Sequence, residues 1–143
     1  MHAMKGGCHC GNLRVTATLT GSPAGYRPRA CDCDFCRKHA AAYVSDPQGS
    51  LHVHVGELPT LTRYRQGNGL AEMLLCGNCG VLVAAVYRDE RALYGVVNAK
   101  ILERWQDFGE AQVVTPRMLS AEQKVSRWQG IWFSNVTIAN LPA

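Results

Sequence analysis

Three groups of cysteine constrain this chain more than any other feature. Cys8 and Cys10 form a C-x-C pair within Gly6-Gly7-Cys8-His9-Cys10-Gly11. Cys31, Cys33 and Cys36 form a C-x-C-x-x-C triple. Cys76 and Cys79 form a C-x-x-C pair followed by Gly80. Seven is an odd number, so a framework of disulfides alone leaves one thiol over. It does divide into four and three. Thiolates are soft ligands, and several on one short loop can reach a single soft cation at about 2.3 Å, which points to zinc. Four thiolates close a structural zinc, whereas three leave the open fourth position that a catalytic zinc needs.

Two assignments compete. In the first, Cys8, Cys10, Cys76 and Cys79 share a structural zinc and Cys31, Cys33 and Cys36 hold the open one. The structural metal then closes a long loop and contributes its binding energy to folding. In the second, Cys33/Cys36 and Cys76/Cys79 make a zinc ribbon, which leaves Cys8, Cys10 and Cys31 without a role. Using all seven thiols favours the first. His39, three residues after Cys36, is the one histidine placed to close the open site as a fourth ligand. A lone His beside such a loop is more often a surface residue, and His9 is expected to point away from the metal.

The 143 residues, 47% of them apolar, suit one domain with a single core. Hydrophobic periodicity makes that domain all-β with small helical pieces. Leu13, Val15, Ala17 and Leu19 alternate with polar residues, as do Leu51, Val53 and Val55 with His52 and His54, so both stretches read as half-buried strands. Residues 61–66, 71–75 and 93–97 read as further strands, and residues 81–87 as a buried strand. Asp46-Pro47-Gln48-Gly49 is a turn. A short helical turn is expected over residues 37–42. Ser120-Ala121-Glu122-Gln123 has the form of a capping box, which predicts a helix over residues 121–129, docked on the sheet by Trp128, Ile131, Trp132 and Phe133.

A formal net charge of +4 is too weak to imply nucleic acid. The basic pairs Arg27/Arg29, Arg37/Lys38 and Arg63/Arg65 read as solvated surface. No apolar run is long enough to span a bilayer, and the N-terminus lacks a hydrophobic signal region. A reducing cytoplasm is therefore the expected location, where cysteines serve as metal ligands rather than disulfides.

The motifs at Gly6–Gly11, at Cys31–Lys38 and at Cys76–Gly80, taken in that order, resemble the glutathione-dependent formaldehyde-activating enzyme family, whose domain is shared with centromere protein V. The resemblance runs over residues 6–98 of a domain spanning 1–143 and leaves 99–143 as a C-terminal extension packing on the sheet. It implies a β-tent fold built around zinc sites. It also implies Cys8, Cys10, Cys76 and Cys79 as structural zinc ligands, and Cys31, Cys33 and Cys36 as the catalytic ones.

A zinc with three thiolates carries a formal charge of −1, so it is a poor activator of water and a better partner for an incoming thiol. The expected reaction is attack of that thiol on an aldehyde to give an S-(hydroxyalkyl)thiol adduct, or its reversal, which is carbon–sulfur lyase chemistry. S-(hydroxymethyl)glutathione, from glutathione and formaldehyde, is the example the resemblance implies. Arg37 and Lys38 are candidates for holding a substrate carboxylate or the developing oxyanion. Two other classes compete: a non-catalytic zinc module binding protein or nucleic acid, and a thiol metal-buffer or redox protein.

Overall fold

The computed structural model of the protein describes residues 1–140. It is mostly β, with two sheets and few helices, as the periodicity predicts. The strands are β1 (His2–Gly7), β2 (Leu13–Leu19), β3 (Arg29–Cys31), β4 (Tyr43–Val44), β5 (Ser50–Val55), β6 (Leu61–Arg65), β7 (Glu72–Cys76), β8 (Leu82–Arg88), β9 (Leu93–Asn98), β10 (Gln112–Val114) and β11 (Val136–Asn140). Two α-helices, α1 (Asp34–Lys38) and α2 (Ala121–Ile131), complete the regular structure beside short 3-10 turns.

The four-stranded sheet has the order β1-β2-β5-β11, and the seven-stranded sheet the order β10-β3-β4-β9-β8-β7-β6. Alternation in β2 and β5 puts Leu13, Val15, Ala17, Leu19, Leu51, Val53 and Val55 on one buried face. Those side chains share a core with Leu74, Val86, Val97 and Phe133. The opposite face of the seven-stranded sheet carries a second core, in which Met73, Ala85, Tyr94 and Val96 pack against Trp128 and Trp132. The seven-stranded sheet is thus covered on both faces. That is why β8 is a continuous apolar run instead of an alternating one. A register shift opposite Leu74/Leu75 lets Val83 and Ala84 both serve the core between the sheets.

Helix α2 opens with both halves of the expected capping box: Gln123 N–H donates to Ser120 Oγ at 3.1 Å, and Ser120 N–H to Gln123 Oε1 at 2.8 Å. It extends two residues past the expected end. Trp128 and Trp132 stack with ring centroids 4.9 Å apart. Phe133 is fully buried and exchanges two backbone hydrogen bonds with Gly95 of β9, at 2.9 and 3.0 Å. The segment after residue 98 also supplies β10, parallel to β3, and β11, parallel to β5.

The short helix differs from expectation. It begins at Asp34, with Cys33 as its N-cap, and ends before His39. The Cys33 sulfur accepts from Cys36 N–H at 3.4 Å, so a cysteine stands where Ser or Asp usually caps. At the N-terminus, β1 starts at His2 and pairs that residue with Leu19.

Candidate metal centres

The seven sulfurs gather into two groups, divided as the first assignment requires. Cys8, Cys10, Cys76 and Cys79 place their sulfurs within 4.8 Å of one another, and so do Cys31, Cys33 and Cys36.

In the group of four, Cys8 and Cys10 lie on the turn between β1 and β2, Cys76 ends β7, and Cys79 lies on the turn that leads from it to β8. Each turn closes on a glycine. Gly11 N–H donates to the Cys8 carbonyl at 3.1 Å and Gly80 N–H to the Cys76 carbonyl at 2.8 Å, and both glycines have φ above 80°. Only glycine takes that conformation freely. Cys8 Sγ lies 3.7 Å from Cys10 Sγ, which lies 3.6 Å from Cys76 Sγ. Sulfurs around a tetrahedral zinc are about 3.8 Å apart at the usual bond length of ~2.3 Å. Backbone amides aim at the same atoms: Leu13 N–H at Cys8 Sγ (3.2 Å), and Asn78 and Cys79 N–H at Cys76 Sγ (3.4 Å each). Such donors stabilise negative sulfur. Burial outweighs the Leu13 amide and pushes the Cys8 thiol up to about 11. Geometry, amide donors and soft donor set all fit a zinc-type cation.

In the group of three, Cys31 ends β3, Cys33 caps α1 and Cys36 sits in its first turn. The hydrogen bond from Cys36 pulls the Cys31 thiol down to about 6 against the effect of burial, while the same contact, with burial, drives Cys36 upward. Tyr43 Oη lies 3.1 Å from Cys36 Sγ. His39 is exposed, with its ring centroid 4.6 Å from that of Phe35, and lies outside the group, as does His9. The three soft donors also fit zinc, with no fourth side-chain ligand among the described residues.

The triple forms part of the wall of a cavity of about 220 Å³. Tyr43, Met73, Ala85, Val96, Trp128 and Trp132 supply its apolar side, and the loop after β6 contributes Gln66, Gly67 and Asn68. Its cations are Arg29, Arg117, Lys124 and Arg127. Two sequence readings are corrected here. Arg37 and Lys38 do not line the cavity: both are exposed, and Arg37 faces Asp34 at 3.8 Å. Arg29 is not solvated surface. It is half-buried beside the triple, its Nη2 donating to Ser45 Oγ at 2.6 Å, and burial together with the like charge of Arg127 brings its pKa down to about 10. Arg29 stays a cation at neutral pH. Lys124 and Arg127 escaped the sequence reading because a solvated helix face and a cavity wall look the same in one dimension.

A mostly-β chain that gathers one group of four cysteines and one of three, the latter open to a cavity, defines a protein able to hold two metal ions through sulfur. The family model described as glutathione-dependent formaldehyde-activating enzyme matches residues 3–121, and the chain belongs to that family. A crystal structure of a Rhodobacter sphaeroides protein is also similar, with 32% sequence identity and a TM-score of 0.60, covering 78% of this chain and 100% of that one. The family match extends past the motif region on both sides, into β1 and to the first residue of α2. Family membership points to chemistry on glutathione and formaldehyde. Among the described residues, no helix is long and apolar enough to cross a membrane.

Proposed function

We propose that this protein is a zinc-dependent carbon–sulfur lyase that forms or cleaves S-(hydroxyalkyl)thiol adducts, with S-(hydroxymethyl)glutathione as the type substrate. In this reading Cys8, Cys10, Cys76 and Cys79 hold a structural zinc, and Cys31, Cys33 and Cys36 hold the catalytic one. The chain acts as one domain over residues 1–143, in the cytoplasm, where thiols stay reduced. The observation that carries the proposal is the triple of sulfurs, facing a cavity and without a fourth side-chain ligand among the described residues.

Cys31, Cys33 and Cys36 would hold the zinc, which would lower the pKa of an incoming thiol and so favour its nucleophilic, deprotonated form at neutral pH. In the synthetic direction a carbon–sulfur bond forms between that thiol and the carbonyl carbon. The carbonyl π bond breaks, and the proton lost by the thiol ends on the former carbonyl oxygen, so no oxidant or reductant is needed. Tyr43 O–H, 3.1 Å from Cys36 Sγ, holds that sulfur in place. Met73, Trp128 and Trp132 keep water from one side of the cavity, which strengthens charge interactions inside it.

The test is exchange spectroscopy of glutathione with formaldehyde, in which the equilibrium stays fixed and the interconversion rate changes. Wild type should accelerate exchange, and Cys33→Ser should return it to the uncatalysed rate. An uncatalysed rate for wild type with every thiol and aldehyde pair tried would replace the lyase by a non-catalytic zinc module.

A further inference from the structure

We propose that the cavity carries an anion subsite, built by Arg29 of β3 with Lys124 and Arg127 of α2, which holds a carboxylate of the thiol substrate while its sulfur sits at the Cys31/Cys33/Cys36 triple. The inference rests on the lyase reading and adds to it the chemical class of the thiol.

The three cations and the three sulfurs line one cavity, and among the described residues no acidic side chain lines it. Among the described residues, no ion pair engages Arg29, Lys124 or Arg127. Arg117, at the same cavity, shows the contrast: its Nε lies 3.4 Å from Asp32 Oδ1. All three unpaired cations are half-buried. Removing a charge from water costs free energy unless an opposite charge replaces the lost hydration, and gathering like charges adds to that cost. A bound carboxylate offsets both, and a guanidinium can meet it with two parallel hydrogen bonds. Arg29 is already oriented for this. Its Nη2 donates to Ser45 Oγ, which in turn donates to the Ile131 carbonyl at 2.6 Å, leaving the rest of the guanidinium free.

Two further facts set the ligand's size and the origin of its specificity. At about 220 Å³ the cavity is smaller than those that enclose a drug-sized ligand, which span roughly 300–1,000 Å³. It suits a thiol and a carboxylate a few bonds apart, presented either by a small mercaptocarboxylate or by one end of a larger thiol such as glutathione. Lys124 and Arg127 also lie beyond residue 121, where the family match ends. Two of the three cations that would recognise the anion therefore come from this chain's C-terminal segment, and the third, Arg29, from β3.

The test is titration calorimetry on the zinc-loaded full chain with 3-mercaptopropionate, glutathione, 2-mercaptoethanol and sulfur-free propionate. We expect 3-mercaptopropionate to bind wild type at least about tenfold more tightly than 2-mercaptoethanol, as one charge-assisted pair gives. Arg127→Gln should erase that difference without weakening 2-mercaptoethanol, and Arg127→Lys should restore part of it. Glutathione losing affinity in Arg127→Gln as well would identify the larger thiol as a source of the carboxylate, and glutathione unaffected would identify the small one. Equal affinities of the charged and neutral thiols for wild type, or equal weakening of both by Arg127→Gln, would overturn the subsite while leaving the lyase reading intact. Binding of propionate that depends on Arg127, with no binding of any thiol, would overturn the lyase reading and with it the pairing of sulfur and carboxylate.

Discussion

Tyr43 Oη and Cys36 Sγ lie 3.1 Å apart, inside the core that α2 covers. A metal-bound sulfur has no proton to give, so in the loaded protein the phenol donates. It then orients Cys36 and lowers the electron density that sulfur shares with the ion. Tyr43→Phe keeps the ring and removes the donor. We expect a folded protein whose triple holds zinc roughly tenfold less tightly, read by competition with a chromogenic chelator. The site of four should be unaffected, so release would become clearly biphasic.

The two sulfur groups should respond differently to loss of one ligand. Cys8→Ser or Cys79→Ser breaks a group whose members come from two distant turns, so Tm should fall by on the order of 10 °C, or folding should fail. Cys33→Ser removes a ligand from one local loop but leaves α1 a side-chain cap, so Tm should fall by only a few degrees. Thermal melts of the zinc-loaded variants decide this, and equal losses would make the triple structural too.

Asp46 gives a pH prediction independent of the sulfurs. Burial raises its pKa, but hydrogen bonds outweigh burial. Tyr26 Oη donates at 2.6 Å, Thr20 Oγ1 at 2.7 Å, and the Thr20 and Gln48 amides at 2.9 Å each, which brings the carboxyl down to about 2. A folded-state pKa below the unfolded value of 3.8 means stability present above that value and lost as pH falls toward about 2. Asp46→Asn should cost about 2 kcal/mol at neutral pH. The gap between wild type and variant in urea melts should close between about pH 4 and pH 2.

Trp128 is the hinge of the C-terminal packing, with its ring 4.9 Å from Trp132 and 5.3 Å from Tyr87. Trp128→Ala should cost roughly 3 kcal/mol in denaturant unfolding and reduce the near-ultraviolet circular dichroism of the stacked indoles. Since Trp128 also walls the cavity, the variant should admit bulkier thiols, read as a fall in KM for them relative to small ones.

Sequence periodicity carries β2, β5 and β8, because each satisfies a burial pattern that its own residues display. The capping box carries the start of α2 for the same reason: its two hydrogen bonds join residues three apart. The grouping of cysteines follows from counting thiols. Strands β3, β4, β10 and β11 are not legible, being short or held by partners far along the chain: Val136 of β11 pairs with Leu51 of β5. The cavity cations escape for a related reason. Arg29 and Arg127 meet only because β3 and α2 reach the same face of the seven-stranded sheet, whereas Arg37 and Lys38, adjacent to Cys36 in sequence, turn outward on α1.

The group of four joins the β1–β2 turn to the β7–β8 turn, one from each sheet. During synthesis the Cys8/Cys10 half therefore waits until residue 79 has been made, and only then can the ligand set close. On the proposed zinc reading, metal capture would then be a checkpoint that opens only after residue 79 has been made. A nascent chain in metal-poor conditions would stall with both half-sites exposed as free dithiols. Refolding of the denatured protein should correspondingly quicken as free zinc is raised, until docking of the two sheets limits the rate.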